Sequence, residues 1–182
     1  MTKVAVVFAD GFEEIEALSP VDVFRRAGFD CSMLGLESAS VTGSHGIQVT
    51  MDGVFDGNLD EYDLVVLPGG MPGSTKLRDH QALIASLQEV AKAGKYVAAI
   101  CAAPTVLERA GLLEGRKFTC FPGVEEQIAS GEHQTDLVVV DGNIVTSRGA
   151  GTALAFAYAL VDLLGGDGQQ LAHTMVYDRL FQ

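Results

Sequence analysis

Three short stretches of this 182-residue chain carry residues able to do chemistry, and each follows a run that reads as a buried strand. Cys101 stands between the strand-like Lys95–Ile100 and a helix expected over Ala103–Ala110. A tight strand-to-helix turn drives its central side chain out of the sheet, and the positive end of the following helix favours a thiolate. Pro104 suits the first turn of that helix, where a missing N–H leaves nothing unpaired. Ala102 and Ala103 are small enough for a crowded turn. The chemistry this points to is nucleophilic attack by sulfur. On this reading Cys101 alone of the three cysteines has a strongly depressed pKa, whereas Cys31, inside a strand, reads as a buried structural thiol.

Gly69-Gly70 closes the strand-like Tyr62–Leu67, and two such glycines can turn successive backbone N–H groups toward an oxyanion. An ordinary strand-to-helix turn would use the same residues. Glu13, Glu14 and Glu16 follow the strand-like Lys3–Ala9, and acidic residues belong in a first helical turn whatever their function. Glu16 shares a helix face with Glu13 while Glu14 points elsewhere. A carboxyl pressed near a thiol is a general acid/base, but spacing does not choose among the three. Gly149-Ala150-Gly151 opens a helix after a strand, yet Leu154 takes the third glycine position of a dinucleotide loop, so that match fails. No Walker or HExxH motif is present, and His45, His80, His133 and His173 are spread too widely to suggest a metal site. No metal and no cofactor is expected.

The elements that must position these groups alternate between strand and helix. A helix over Glu13–Arg26 has acids in its first turn, bases at its end and Gly28 beyond. Phe29–Leu36 reads as a strand and Val41–Phe55 as a small antiparallel excursion. Helix Gln81–Ala93 follows, and after the Cys101 turn come strands Phe118–Phe121, Leu137–Val140 and Ile144–Ser147, the last two joined by a hairpin at Asp141-Gly142-Asn143. Helices Thr152–Leu164 and Gln169–Val176 complete the order. Such alternation specifies a doubly wound, mostly parallel sheet with helices on both faces. Ligands in that architecture bind beyond the carboxyl ends of the strands, and all three chemical stretches fall at that rim.

Composition narrows the partners. Acidic side chains number 24 against 12 basic ones, a formal net charge of −12, and the basic residues are scattered. Nucleic acid and anionic membrane surfaces are therefore not expected partners. With 48% hydrophobic residues the chain can bury one core, so a single domain over 1–182 is expected. An odd set of three cysteines without a CxxC pair, and no visible export signal, point to a reducing cytoplasm.

GFEEIEALSPVDVFRRAG at 11–28, YDLVVLPGG at 62–70, AAICAAPT at 98–105 and TSRGAGTA at 146–153 together resemble the DJ-1/PfpI (ThiJ) superfamily, in its DJ-1-like branch. The resemblance implies a flavodoxin-like fold of the class I glutamine-amidotransferase type, and a homodimer. It also implies that Cys101 is the oxidisable, reactive cysteine at the elbow and that Glu16 is the acid hydrogen-bonded to its sulfur. Gly69 and Gly70 then line the site with backbone amides, Ala102 takes a small position after the elbow, and Arg26 matches a basic residue near the dimer interface. Two departures stand out. Family peptidases place a histidine after the nucleophile, where this chain has Ala102, which argues against peptidase activity. Several DJ-1-like members carry a site histidine before a proline, where this chain has Phe121-Pro122, and a phenyl ring cannot shuttle protons. His45, at an often basic position, is the substitute to consider.

The activity so implied is a cofactor-free, cysteine-dependent glyoxalase or deglycase acting on small α-oxoaldehydes, such as methylglyoxal and glyoxal, or on their early protein adducts. The alternative is an oxidative-stress sensor or chaperone whose Cys101 is oxidised to sulfinate.

Overall fold

The computed structural model describes residues 1–180. In chain order its strands and helices are β1 (Lys3–Phe8), α1 (Glu14–Arg26), β2 (Asp30–Gly35), β3 (Ser40–Thr42), β4 (Gln48–Thr50), β5 (Gly53–Val54), β6 (Leu64–Leu67), α2 (Gly73–Asp79), α3 (Gln81–Lys92), β7 (Tyr96–Ile100), α4 (Pro104–Arg109), β8 (Lys117–Phe118), β9 (Glu132–His133), β10 (Val138–Asp141), β11 (Ile144–Ser147), α5 (Ala153–Leu163) and α6 (Gly168–Thr174). The main sheet runs β10-β11-β7-β6-β1-β2-β5, parallel throughout except for the antiparallel β10 at one edge. At the other edge, β5 is two residues long.

Successive strand residues point to opposite faces, and both faces are buried, which is why these strands read as continuous apolar runs. Ala5, Val7, Val65, Leu67, Val97 and Ala99 pack with Leu77 of α2, Leu83 and Leu87 of α3, and Val106 of α4. Their neighbours Val4, Val6, Phe8, Leu64, Val66, Ala98 and Ile100 pack with Phe24 of α1 and Phe156 and Leu160 of α5. This is the doubly wound sandwich expected. The registers of β1, β6 and β7 end at one rim, so Asp10–Glu16, Pro68–Gly70 and Cys101 converge there.

Two expectations need correction. The Phe118–Phe121 strand is only Lys117–Phe118, paired in parallel with the two-residue β9 outside the main sheet. Thr119 donates its N–H to Thr146 Oγ1 at 2.9 Å, and the Phe121 N–H turns back to the Cys101 carbonyl at 2.9 Å, so the chain leaves any ladder at once. The excursion at 41–55 is a β3–β4 hairpin, but its last part, β5, instead joins the main sheet parallel to β2.

Candidate active site

The elbow is built by backbone geometry that side chains ordinarily avoid. Cys101 has φ 66°, left-handed for a residue with a Cβ, a conformation that costs about 1–2 kcal/mol. It is held there from both ends: its N–H donates to the Ser147 carbonyl at 3.1 Å, extending β7 along β11, and its carbonyl accepts from Phe121. Strain sustained by surrounding bonds at a partly buried cysteine is the mark of a functional turn.

Glu16 approaches from α1. Glu13 is the N-cap of that helix, and its carboxylate accepts the Glu16 N–H at 2.8 Å. One turn in, the Glu16 side chain is 1% exposed and accepts the Gly69 N–H at 2.9 Å. The Gly69 carbonyl in turn accepts the Glu13 N–H at 2.9 Å, tying the two rim segments together. A Cβ on Gly69 would lie 2.6 Å from the Cβ of Cys101 and closer still to Glu16 Oε2, so only glycine fits. Gly70 has φ 93° and is equally confined, by the backbone of Gly11, Phe12 and Glu13.

The Glu16 carboxyl and the Cys101 thiol lie close enough for each to shift the other's titration. Burial pushes Glu16 up to about 7 and the charge of Glu13 adds to the rise, against hydrogen bonds from Cys101 and the Gly69 amide. Burial also pushes the Cys101 thiol well up, and the charge and hydrogen bond of Glu16 push it further, while the amides of Ala102 and Gly70 act against both. The expected single depressed thiol is thus not found. Burial raises Cys31 and Cys120 to about 12 as well. Burial, the largest cause, and the adjacent Glu16 outweigh the lowering amides of Ala102 and Gly70 at this turn.

Cys101 opens into a cavity of about 300 Å³, lined by Gly70, Met71, Ser74, Ala102, Phe121 and Val124 among others. That is room for a small molecule only. Phe121 is 51% exposed at its mouth. Gly149 sits with the position of its absent Cβ 3.5 Å from the Phe121 ring and 3.9 Å from Glu16 Oε1, which brings the fourth sequence stretch to the same place. Sequence reasoning missed Ser74, Met71 and Val124 because nothing in their spacing marks them.

The remaining site expectations separate from this centre. His45 is bound to Glu14, ring to carboxylate at 2.8 Å and backbone N–H to carboxylate at 2.7 Å. Burial pushes Glu14 up, but the two bonds from His45, together with backbone bonds at Glu14 and Ile47, more than offset it, and the His45 ring is raised in return. Arg26, at the far end of α1, pairs with Asp22 at 2.7 Å. Within one chain neither reaches Cys101. The three acids that spacing left equivalent thus divide: Glu13 caps, Glu14 holds His45, and Glu16 faces sulfur.

A parallel α/β sandwich with a left-handed cysteine elbow and a buried carboxyl against the sulfur defines a class of thiol-centred proteins. The chain belongs to the DJ-1/PfpI family, whose model matches residues 2–163. It is 38% identical over 167 residues to protein DJ-1 homolog B of Arabidopsis thaliana, a match covering 90% of this chain and 38% of that relative, so the chain spans well under half of that relative's length. It is 36% identical over 165 residues to a deglycase of Pyrococcus horikoshii, covering 89% of this chain and 99% of that one. Among solved structures, oxidized Toxoplasma gondii DJ-1 is similar with TM-score 0.92 and 36% identity, covering 97% and 98% of the two chains. No helix among the described residues is long and apolar enough to cross a membrane.

Proposed function

We propose that this protein is a cofactor-free enzyme acting on small α-oxoaldehydes, or on their early adducts with proteins, through Cys101 and Glu16. The observation that carries the reading is the buried Glu16, bonded to the Gly69 amide and raised to about 7, beside a thiol that opens into a small cavity. A neutral Glu16 removes the opposing charge and so two of the upward pushes on Cys101. The amides of Gly70 and Ala102 then favour the thiolate. Similarity to a protein named a deglycase supports the same direction.

For methylglyoxal, the Cys101 sulfur bonds to the aldehyde carbon, and the proton leaving the thiol ends on the carbonyl oxygen as a hemithioacetal. Glu16 as carboxylate takes the hydrogen from that carbon and returns it to the neighbouring one, while the hydroxyl proton of the hemithioacetal passes to the neighbouring oxygen, giving a thioester of a 2-hydroxy acid. Water then cleaves the thioester, releasing lactate and restoring the thiol. One carbon is oxidised and its neighbour reduced, so no external redox partner is required. The amides facing the sulfur also face an oxygen on the carbon bonded to it.

The test is lactate formation from methylglyoxal by the purified chain. Turnover is expected in the wild type, loss in Cys101→Ser, and a fall of about 10²-fold or more in Glu16→Gln. Unchanged turnover in Cys101→Ser overturns the reading. The redox reading has its own support in the similar structure of an oxidized relative. It predicts no turnover in the wild type, but peroxide conversion of Cys101 to sulfinate, stabilised by the Glu16 O–H. A homodimer in the cytoplasm belongs to either reading.

A further inference from the structure

Behind the wall of the reactive cavity, three side chains of different chemistry meet. Cys120, Glu125 and His133 each bring one ligand atom within 4.8 Å of the other two. Cys120 is fully buried, with Sγ 3.8 Å from Glu125 Oε2. His133 packs its ring against Phe118, with centroids 5.5 Å apart, and its Nε2 is buried with no hydrogen-bond partner among the described residues. A buried ring nitrogen left unpaired is costly and calls for an explanation. Residues 120, 125 and 133 follow no recognised ligand spacing, which is why the sequence led to the expectation of no metal.

We propose that Cys120, Glu125 and His133 form a site for one divalent ion of the zinc type. A thiolate, an imidazole and a carboxylate together suit that borderline ion, and three protein ligands leave a fourth tetrahedral position to water. Metal–ligand bonds of about 2.0–2.3 Å set tetrahedral ligand atoms roughly 3.3–3.8 Å apart, so side-chain movements of about 1 Å close the site. Binding breaks the Cys120 S–H bond, forms a metal–sulfur bond and passes the proton to buffer. The cluster of Glu13, Glu14 and His45 is equally compact, but there Glu14 already holds the ring nitrogen; here Glu125 accepts the Gly123 N–H at 2.7 Å while the His133 nitrogen is left unpaired. Location gives the ion its consequence. Cys120 precedes Phe121, which bonds to the Cys101 carbonyl, and Val124 next to Glu125 lines the cavity. An ion here pins one wall of the reactive cavity without touching Cys101.

The intact purified chain, freed of metal by chelator, is titrated with cobalt(II), whose bond to a thiolate gives a charge-transfer band. Expected is a band saturating at one equivalent, displaced by zinc, kept in Cys101→Ser, lost in Cys120→Ser, and weakened about tenfold or more in affinity in His133→Gln. Zinc is also expected to raise the melting temperature of the wild type but not of His133→Gln. His133→Gln substitutes a partly exposed side chain, so its metal-free melting point shows whether it folds. The proposal is overturned if no band forms, if the band survives Cys120→Ser, or if it vanishes in Cys101→Ser. The aldehyde reading can fail without touching this result.

Discussion

Glu16 keeps its proton inside the protein over a pH range where a glutamate in water has lost it. Between the ordinary value of 4.5 and about 7, the folded chain holds a proton that the unfolded chain has released, so stability falls as pH rises through that window. At about 1.4 kcal/mol per pH unit, the loss across that window is at most about 3–4 kcal/mol. Glu16→Gln is therefore expected to flatten the melting temperature between pH 5 and 8 and to raise it at pH 8, as thermal denaturation across pH will show. Cys101 stores a different cost, in its backbone. With φ 66° relieved only by glycine, Cys101→Gly is expected to be more stable than Cys101→Ala by about 1 kcal/mol, with both inactive. Equal denaturation midpoints would mean the elbow relaxes in the variants. Phe121 raises the question of proton transfer. Its backbone contact with Cys101 and its place on the cavity put a ring beside the reacting atoms. A positioned acid/base contributes about 10²–10⁴-fold, so Phe121→His is expected to raise methylglyoxal turnover, and a well-folded variant with no gain would leave the protons to Glu16 alone.

At the scale of elements, the start of α1 sets the site's electrostatics. Glu13→Gln keeps an acceptor for the Glu16 N–H but removes the charge that helps hold Glu16 protonated. Its alkylation profile at Cys101 is expected to inflect at lower pH than the wild type, whereas an unmoved inflection would sever Glu13 from the site. Spacing alone could not separate these acids, because all three suit a first helical turn and only tertiary contacts tell them apart. The resemblance singled out Glu16, and the geometry puts it against the sulfur. The strands were legible because burial on both sheet faces leaves unbroken apolar runs such as Leu64–Leu67. Helix α2 was missed because it is seven residues long and begins Gly73-Ser74-Thr75, all weak helix formers, directly after Pro72. β8 was overextended because Phe118, Cys120 and Phe121 are apolar, yet Cys120 and Phe121 are apolar for the turn and the cavity rather than for a ladder.

For the molecule as a whole, we propose that the face of α1 around Ile15 is where a homodimer would form. Ile15 is 54% exposed beside Leu18 and Leu154, which share a shallow hollow with it. Light scattering behind gel filtration is expected to give twice the 19.2 kDa chain mass, and Ile15→Glu to shift that toward the monomer. A wild-type monomer would remove the dimer from the reading. The sheet's two edges bear on another property, its behaviour at high concentration. A strand of two residues, β5, gives a stray chain almost no backbone to pair with, and at the opposite edge β10 is reversed, four residues long and closed by Asp141. Short, charged edges are how sheet proteins resist joining end to end. With a net charge of −12 repelling like copies, a chain that is nearly half hydrophobic is built to stay dispersed where a longer bare edge would seed fibres.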